Sequence, residues 1–414
     1  MADENSINVL MLGARRAGKS TLLASLVQSI MGGTFCKYLN VEDCTEYLPG
    51  EETLREKYLE LQLLANPAVG KEISPDTGAS SIFKDYRLKI SIPDCKGDLT
   101  IVFTDGNGEF IELDNTTEYA DKLKEKVASY DIILVAIDTP FLMEAVNKEN
   151  RLCNEPINKK HNQIPALQTI LTNVDDGEGK IARQIIFAPI KCEKWLKAGR
   201  FQDVVDRVKT AYNVVLCNLS GYTNIEIGIL PVQTVGNITF TTHRTAHILV
   251  QNGEEIRCSP IDSSGERLLL YDGNIVEKDK NDILNLDSRM QSGAIRFPYS
   301  WFKVEDKKYS PRNCDMLAFY ILRFVIAKTI EAKDRQNKKS NSIWKTIALA
   351  TAAYAVGNLY GLAIFLSYSY LRKRLGTIKV ERLQSALNRI DEINQENHLD
   401  DDMYVLQKNQ LKYN

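Results

Sequence analysis

The chain has 414 residues, 44% of them hydrophobic and 26% charged, enough for one large domain with insertions or two ordinary ones around a sizeable core. Lys and Arg total 52 against 54 Asp and Glu, so the general positive field that draws a protein onto nucleic acid is lacking and no nucleic-acid partner is expected. Eight scattered cysteines with no CxxC pair argue against a disulfide or zinc framework, and the acidic, polar start MADENSINV lacks the basic and apolar regions of a secretory leader.

In chain order, Ile7 to Leu12 is a short apolar strand that runs into Gly13-Ala14-Arg15-Arg16-Ala17-Gly18-Lys19-Ser20-Thr21. This stretch fits the phosphate-loop pattern G-x-x-x-x-G-K-[ST], and the residues after Gly18 carry helical apolar spacing. Residues 51–66 read as a helix with Leu54, Tyr58, Leu61 and Leu64 on one side. Ile82 to Ile92 alternates like a strand, and Leu99 to Phe103 is a buried-type strand ending at Asp105; the two are expected to be neighbours. A helix over 115–129 leads into the apolar strand 131–138, followed by two more at 185–190 and 225–232. Apolar strands alternating with helices predict an α/β, doubly wound, mostly parallel sheet covered on both faces.

Residues 237–298 turn polar and β-prone, with the turn signals NGEE, SSGE and YDGN, and are expected to form a β-rich insertion within a nucleotide domain spanning 1–335. His243 and His247 lie there at i,i+4, but TFTTHRTAHILV reads as a strand, which removes the helical geometry a metal pair would need. Residues 315–330 are expected to form a helix returning to pack on the last strand of the main sheet. A basic linker, 336–345, precedes the uncharged segment 346–371, TIALATAAYAVGNLYGLAIFLSYSYL. That segment is long enough to cross a hydrocarbon layer of about 30 Å as a helix. Trp344, Tyr368 and Tyr370 flank it, and Ala353, Gly357 and Gly361 make one thin face. Asn358 and the central glycines keep open a membrane-inserted hairpin or a buried helix. The tail, 372–414, is expected to be an amphipathic helix whose stripe Val380, Leu383, Leu387, Ile390 and Ile393 offers a surface for pairing chains.

The chemistry follows from the loop. Successive backbone N–H groups from Gly13 to Thr21, including those of Ala14, Arg16, Ala17 and Gly18, and the N-terminus of the following helix can face nucleotide phosphates. Lys19 supplies a point charge to them and Ser20 a hydroxyl to Mg²⁺. Asp105-Gly106-Asn107-Gly108-Glu109 follows the strand LTIVF, where Asp105 can hold Mg²⁺ and the Gly108 N–H can reach a γ-phosphate.

This order of motifs resembles the translation-factor-type or Ras-like P-loop GTPases: GARRAGKST, then DGNG in the place of DxxG, then a strand ending in a base-reading motif. In that family [NT]-K-x-D reads guanine. The corresponding residues here are Ile190-Lys191-Cys192-Glu193, with Lys191 matching, Glu193 replacing Asp and Ile190 lacking the amide or hydroxyl. Pro231-Val232-Gln233-Thr234-Val235-Gly236 is similar to the family loop whose backbone, here at Thr234 and Val235, contacts the guanine oxygen. More narrowly, GARRAGKSTLLASL, DxxGE and VAIDTP resemble the double-GTPase-like domains of bacterial conflict and defence gene clusters.

The resemblance implies GTP or GDP with Mg²⁺ as ligands, and a mobile-loop threonine, Thr77, closing over metal and γ-phosphate. It also puts Glu109 in the place of the water-orienting glutamine, where its charge implies slow turnover. Arg15 stands where a small residue is usual. Its side chain can offset transition-state charge in cis, block an arginine finger from a partner, or turn to solvent. Arg16 is read as pointing away from the phosphates, and Asp138, ending the VAID strand, as structural. The expected function is a GTP switch with a cytoplasmic nucleotide domain attached to the membrane through 346–371 and signalling to a protein effector. Alternatives are a dynamin-like membrane-remodelling GTPase, an ATPase, or a nucleotide-binding scaffold without significant turnover.

Overall fold

The structure is a computed structural model. It describes residues 6–14, 17–32, 35, 39–49, 51–64, 83–91, 98–106, 123, 127–143, 158–159, 161–172, 174, 183–251, 254–258, 268–269, 295–305, 309–331, 380–397 and 404–407. The first half runs β1 (Ser6–Leu12), α1 (Lys19–Gly32), β2 (Asn40–Asp43), α2 (Leu54–Leu64), β3 (Phe83–Ser91), β4 (Asp98–Gly106), β5 (Ile132–Asp138) and α3 (Thr139–Met143). There follow α4 (Ile164–Leu171), β6 (Arg183–Ile190), α5 (Glu193–Lys197), α6 (Phe201–Ala211), α7 (Asn213–Leu219) and β7 (Ile225–Ile229). Then come β8 (Ile238–Gln251), β9 (Glu254–Cys258), β10 (Leu268–Leu269), β11 (Ile295–Val304), a long helix α8 over 314–331, α9 (Val380–Asn397) and β12 (Tyr404–Gln407).

Eight strands form one sheet in the order β12-β7-β6-β5-β1-β4-β3-β2. The five strands β4, β1, β5, β6 and β7 run parallel to one another. At one edge β2 and β3 add antiparallel, and at the other β12 pairs antiparallel with β7. Strand composition follows coverage. β5, IILVAID, is buried at every position because both faces are covered, whereas β3 alternates buried Tyr86, Leu88 and Ile90 with exposed Asp85 and Arg87.

The two faces carry separate cores. On one, Val9, Met11, Ile101, Phe103 and Leu134 meet α1, α2, α8 and α9; on the other, Leu10, Leu12, Ile133, Val135 and Phe187 meet α3 to α7. The period-2 alternation of strand side chains thus splits β1 between the two cores. The mostly parallel, doubly wound α/β sheet read from the sequence is present.

Several expectations change. Helix α8 does not pack on the last strand alone: its residues share the core of the central strands, and Lys328 Nζ donates to Asp131, whose Oδ2 also accepts from the Asn8 N–H at 2.8 Å. The apolar stripe of α9, expected to pair chains, is spent within the chain, with Leu383, Leu387, Ile390 and Ile393 buried and Arg323 bonded to Asp391 at 2.7 Å. Strand β12 lies in a tail read as purely helical. It is four residues long, and its pairing partner β7 is distant in sequence.

β8 to β11 form a second, antiparallel sheet ordered β10-β11-β8-β9. β11 runs past residue 298 to Val304 because its pairing with β8 continues to Ile238. His243 and His247 lie on β8. The root of this sheet is anchored on the main domain by Phe240, which stacks on Trp195 of α5 at 5.7 Å between centroids. Segment 346–371 and most of the helix expected over 115–129 lie outside the described residues. Among the described residues no helix is long and apolar enough to cross a membrane.

Candidate nucleotide site

The site is built at the carboxyl ends of the parallel strands, where the chain leaves β1 with β4 on one side and β5 on the other. This change of direction is the usual ligand crevice of an open α/β sheet. Gly13 has φ 146°, and a Cβ there would stand 2.6 Å from the Ala136 carbonyl oxygen, so the loop lies against β5 closer than any side chain allows. At Gly18, φ is 106°, and a Cβ would meet Ile190 Cδ1 at 3.1 Å and Lys191 Cε at 3.7 Å. The Ala17 N–H donates to the Ala14 carbonyl at 3.2 Å to turn the loop, and the Leu22 N–H to Gly18 at 2.9 Å to start α1. Thr21, in the first turn of α1, is partly exposed.

Lys19 is buried at 7% exposure, and its Nζ donates to the carbonyls of Gly13 at 2.9 Å and Ala14 at 3.0 Å. Burial lowers its pKa below the usual lysine value, and the charge of Asp105 acts in the opposite sense. Ser20 Oγ donates to Asp105 Oδ2 at 2.9 Å. The two meet because β4 runs parallel to β1 with Met11 opposite Asp105, which sets the carboxylate beside the first turn of α1. Asp105 Oδ1 is buried with no hydrogen-bond partner. A hydroxyl and a carboxylate with one uncommitted oxygen fit Mg²⁺, which takes one or two protein oxygens and completes its shell with water and phosphate. Among the described residues no group of three or more His, Cys, Asp or Glu gathers as a denser metal cage.

The base-reading residues expected from the sequence are brought to the adjoining loops. Lys191, in the left-handed region at φ 59°, turns the chain from β6 into α5. Its Nζ lies 2.6 Å from Asp138 Oδ2 at the end of β5. Glu193 is 2% exposed, and its Oε1 accepts the Gly236 N–H at 3.2 Å and, at the 3.5 Å limit, the Val235 N–H. Burial raises its pKa above the usual carboxylate value. Thr234 is buried, and its carbonyl accepts from Ser25 Oγ at 3.2 Å. The carboxylate expected to take guanine N–H groups accepts the N–H groups of the neighbouring loop.

Asp138, read from the sequence as structural, sits in the site, 0% exposed and bonded to Lys191. The signal available was a carboxylate closing an otherwise apolar strand. Arg15, Arg16, Thr77, Asn107, Gly108 and Glu109 lie outside the described residues.

No family profile and no curated protein matches the chain. Among solved structures it is similar to the GDP-bound Roco2 RocCORdC of Methanosarcina barkeri, at 9% identity and a TM-score of 0.26, over 56% of this chain. The similar part spans 44% of that protein's chain, and likeness at this level establishes no shared chemistry.

Proposed function

We propose that the chain binds and hydrolyses a nucleoside triphosphate with Mg²⁺, with GTP as the nucleotide, and that it works as a switch. One observation carries the reading. An ammonium buried at 7% exposure faces backbone carbonyls at the N-terminus of α1, beside a hydroxyl and carboxylate 2.9 Å apart. Burying a charge is costly unless an opposite charge compensates it, and triphosphate oxygens supply that charge where helix N–H groups already point.

In this reading Lys19 neutralises phosphate charge while Ser20 and Asp105 hold Mg²⁺, which when bound supplies charge neutralisation on the phosphate oxygens. Guanine is assigned from the motif order and from the approach of Lys191 to Gly18 of the phosphate loop. The water-orienting role of Glu109, the contribution of Arg15 and the closing role of Thr77 rest on the sequence, as does membrane attachment through 346–371. Engagement of Glu193 with the 235–236 backbone favours a second reading, a triphosphate site with weak base selection that also accepts ATP.

Competition between GTP and ATP for the full chain in detergent, followed with a fluorescent nucleotide, tests both. A GTP preference of about a hundredfold or more, near 3 kcal/mol, supports guanine reading. Equal affinity moves the assignment to the second reading, and no binding of either removes the site.

A further inference from the structure

Asp138 closes β5 with its side chain inside the protein. Its carboxylate is 0% exposed, one oxygen is 2.6 Å from Lys191 Nζ, and the other is buried without a hydrogen-bond partner. The backbone that carries it is fixed on both sides by one side chain: the Asp138 N–H donates to Asn162 Oδ1 at 2.7 Å, and Asn162 Nδ2 donates to the Asp138 carbonyl at 3.1 Å. Asn162 is itself buried and held by Asn158 Oδ1 at 2.8 Å. The carboxylate is thus a fixed point to which the lysine comes.

Lys191 arrives in a left-handed backbone conformation at φ 59°, which a non-glycine residue adopts only where its surroundings over-determine it. Its ammonium is directed inward, 5.8 Å from the centre of the Phe302 ring as well as against Asp138, and its Cε passes 3.7 Å from where a Cβ of Gly18 would stand. The end of the lysine stem thus passes beside Gly18 of the phosphate loop while its charge meets Asp138.

We infer that Asp138 is the positioning residue of the base side: by anchoring the Lys191 ammonium it presents the methylene stem, and not the charge, to the base of a bound nucleotide. The inference rests on the nucleotide reading above. Its chemistry is that of a flat purine ring laid on an apolar stem beside the phosphate loop, a contact made by the whole nucleotide and not by its phosphates alone.

The test compares nucleotide with tripolyphosphate binding to the full chain by calorimetry. Asp138→Asn keeps the shape and removes the anchoring charge. It is expected to weaken GTP binding by roughly tenfold while tripolyphosphate affinity stays within about twofold, because the loss is that of one partner of a buried charge pair. Adding Lys191→Met removes the ammonium and keeps the stem, and is expected to recover GTP affinity to within about threefold of the unaltered chain. Unchanged GTP affinity in Asp138→Asn, a parallel loss of both ligands, or no recovery in the double variant each overturns the proposal.

If Asp138→Asn does not fold, the pair Asp138→Asn/Lys191→Met and Asp138→Asn/Lys191→Ala carries the test, since neither leaves a buried charge. The first is expected to hold the ratio of GTP to tripolyphosphate affinity and the second to lose roughly tenfold of it; equal ratios overturn the role of the stem. Failure of the unaltered chain to bind either ligand refutes the nucleotide reading instead, so the two failures are told apart.

Discussion

The two sides of the crevice, proposed to take the phosphates and the base, are built on different logic. On the phosphate side the groups come from one continuous segment, Gly13 to Ser20, plus one residue across a parallel register, and two of them remain chemically undersatisfied: the Lys19 ammonium faces carbonyls, and Asp105 Oδ1 has no hydrogen-bond partner. On the base side each carboxylate has a donor within the protein, Glu193 the 235–236 backbone and Asp138 the Lys191 ammonium, although Asp138 Oδ1, like Asp105 Oδ1, has no hydrogen-bond partner. A site whose groups await a ligand advertises its chemistry, whereas one whose groups satisfy each other hides it. Under the proposed function, triphosphate recognition would rest on local backbone geometry and base recognition on contacts between distant strands.

The largest expected effect attacks the phosphate side. Lys19→Ala should lower nucleotide affinity or turnover by about 10²–10³-fold, as removal of a preorganised charge does. Thermal stability should hold or rise, because a desolvated ammonium leaves the interior. A stability loss matching the functional loss would make Lys19 a structural residue and erase the contrast.

Next is the wall behind the site. Leu387→Ala in α9 should cost about 3 kcal/mol in denaturant unfolding, the range for truncating a leucine in a packed core. The oligomeric state seen by light scattering should not move, since the stripe is already buried in its own chain. A shift in oligomer would restore α9 as a pairing surface.

A smaller effect separates metal from phosphate. Asp105→Asn should weaken Mg²⁺ binding in the nucleotide complex by roughly tenfold or more. Nucleotide affinity measured in EDTA should be unaffected. Equal losses with and without the metal would mean that Asp105 only braces Ser20.

The smallest concerns Glu193, whose carboxyl pKa is raised by burial above its ordinary 4.5. The folded state then binds the proton more tightly than the unfolded chain, so this residue makes stability fall as pH rises from 4.5 through the raised value. Glu193→Gln should flatten that part of the profile in urea unfolding, while the weakened clasp on 235–236 costs about 1 kcal/mol. An unchanged slope would show that Glu193 does not titrate there, and with it would go the picture of a base side closed on itself.

Much of this was legible in the chain. The apolar runs at Ile7–Leu12, 131–138 and 185–190 announced strands covered on both faces, and the glycine spacing of the phosphate loop placed Lys19 and Ser20. Asp105 could be paired with them because a carboxylate ending an apolar strand next to that loop has few other places to be. The helix over 314–331 was visible from its composition, but its seat against Asp131 was not, because nothing local records that Lys328 meets a residue 197 positions earlier. β12 was missed for the same reason: Tyr404 to Gln407 is too short to carry a periodicity and is a strand only because β7 offers an open edge.

What the sequence determined by itself is therefore what short-range physics enforces: alternation and apolar runs set the elements, and glycine at φ values other residues avoid sets the loop. The tertiary structure alone decided partnerships. It turned Glu193 onto the backbone of 235–236, drew Lys191 to Asp138 and buried the stripe of α9, because a buried charge or apolar face takes whichever partner packing delivers, and that choice is written in no local pattern.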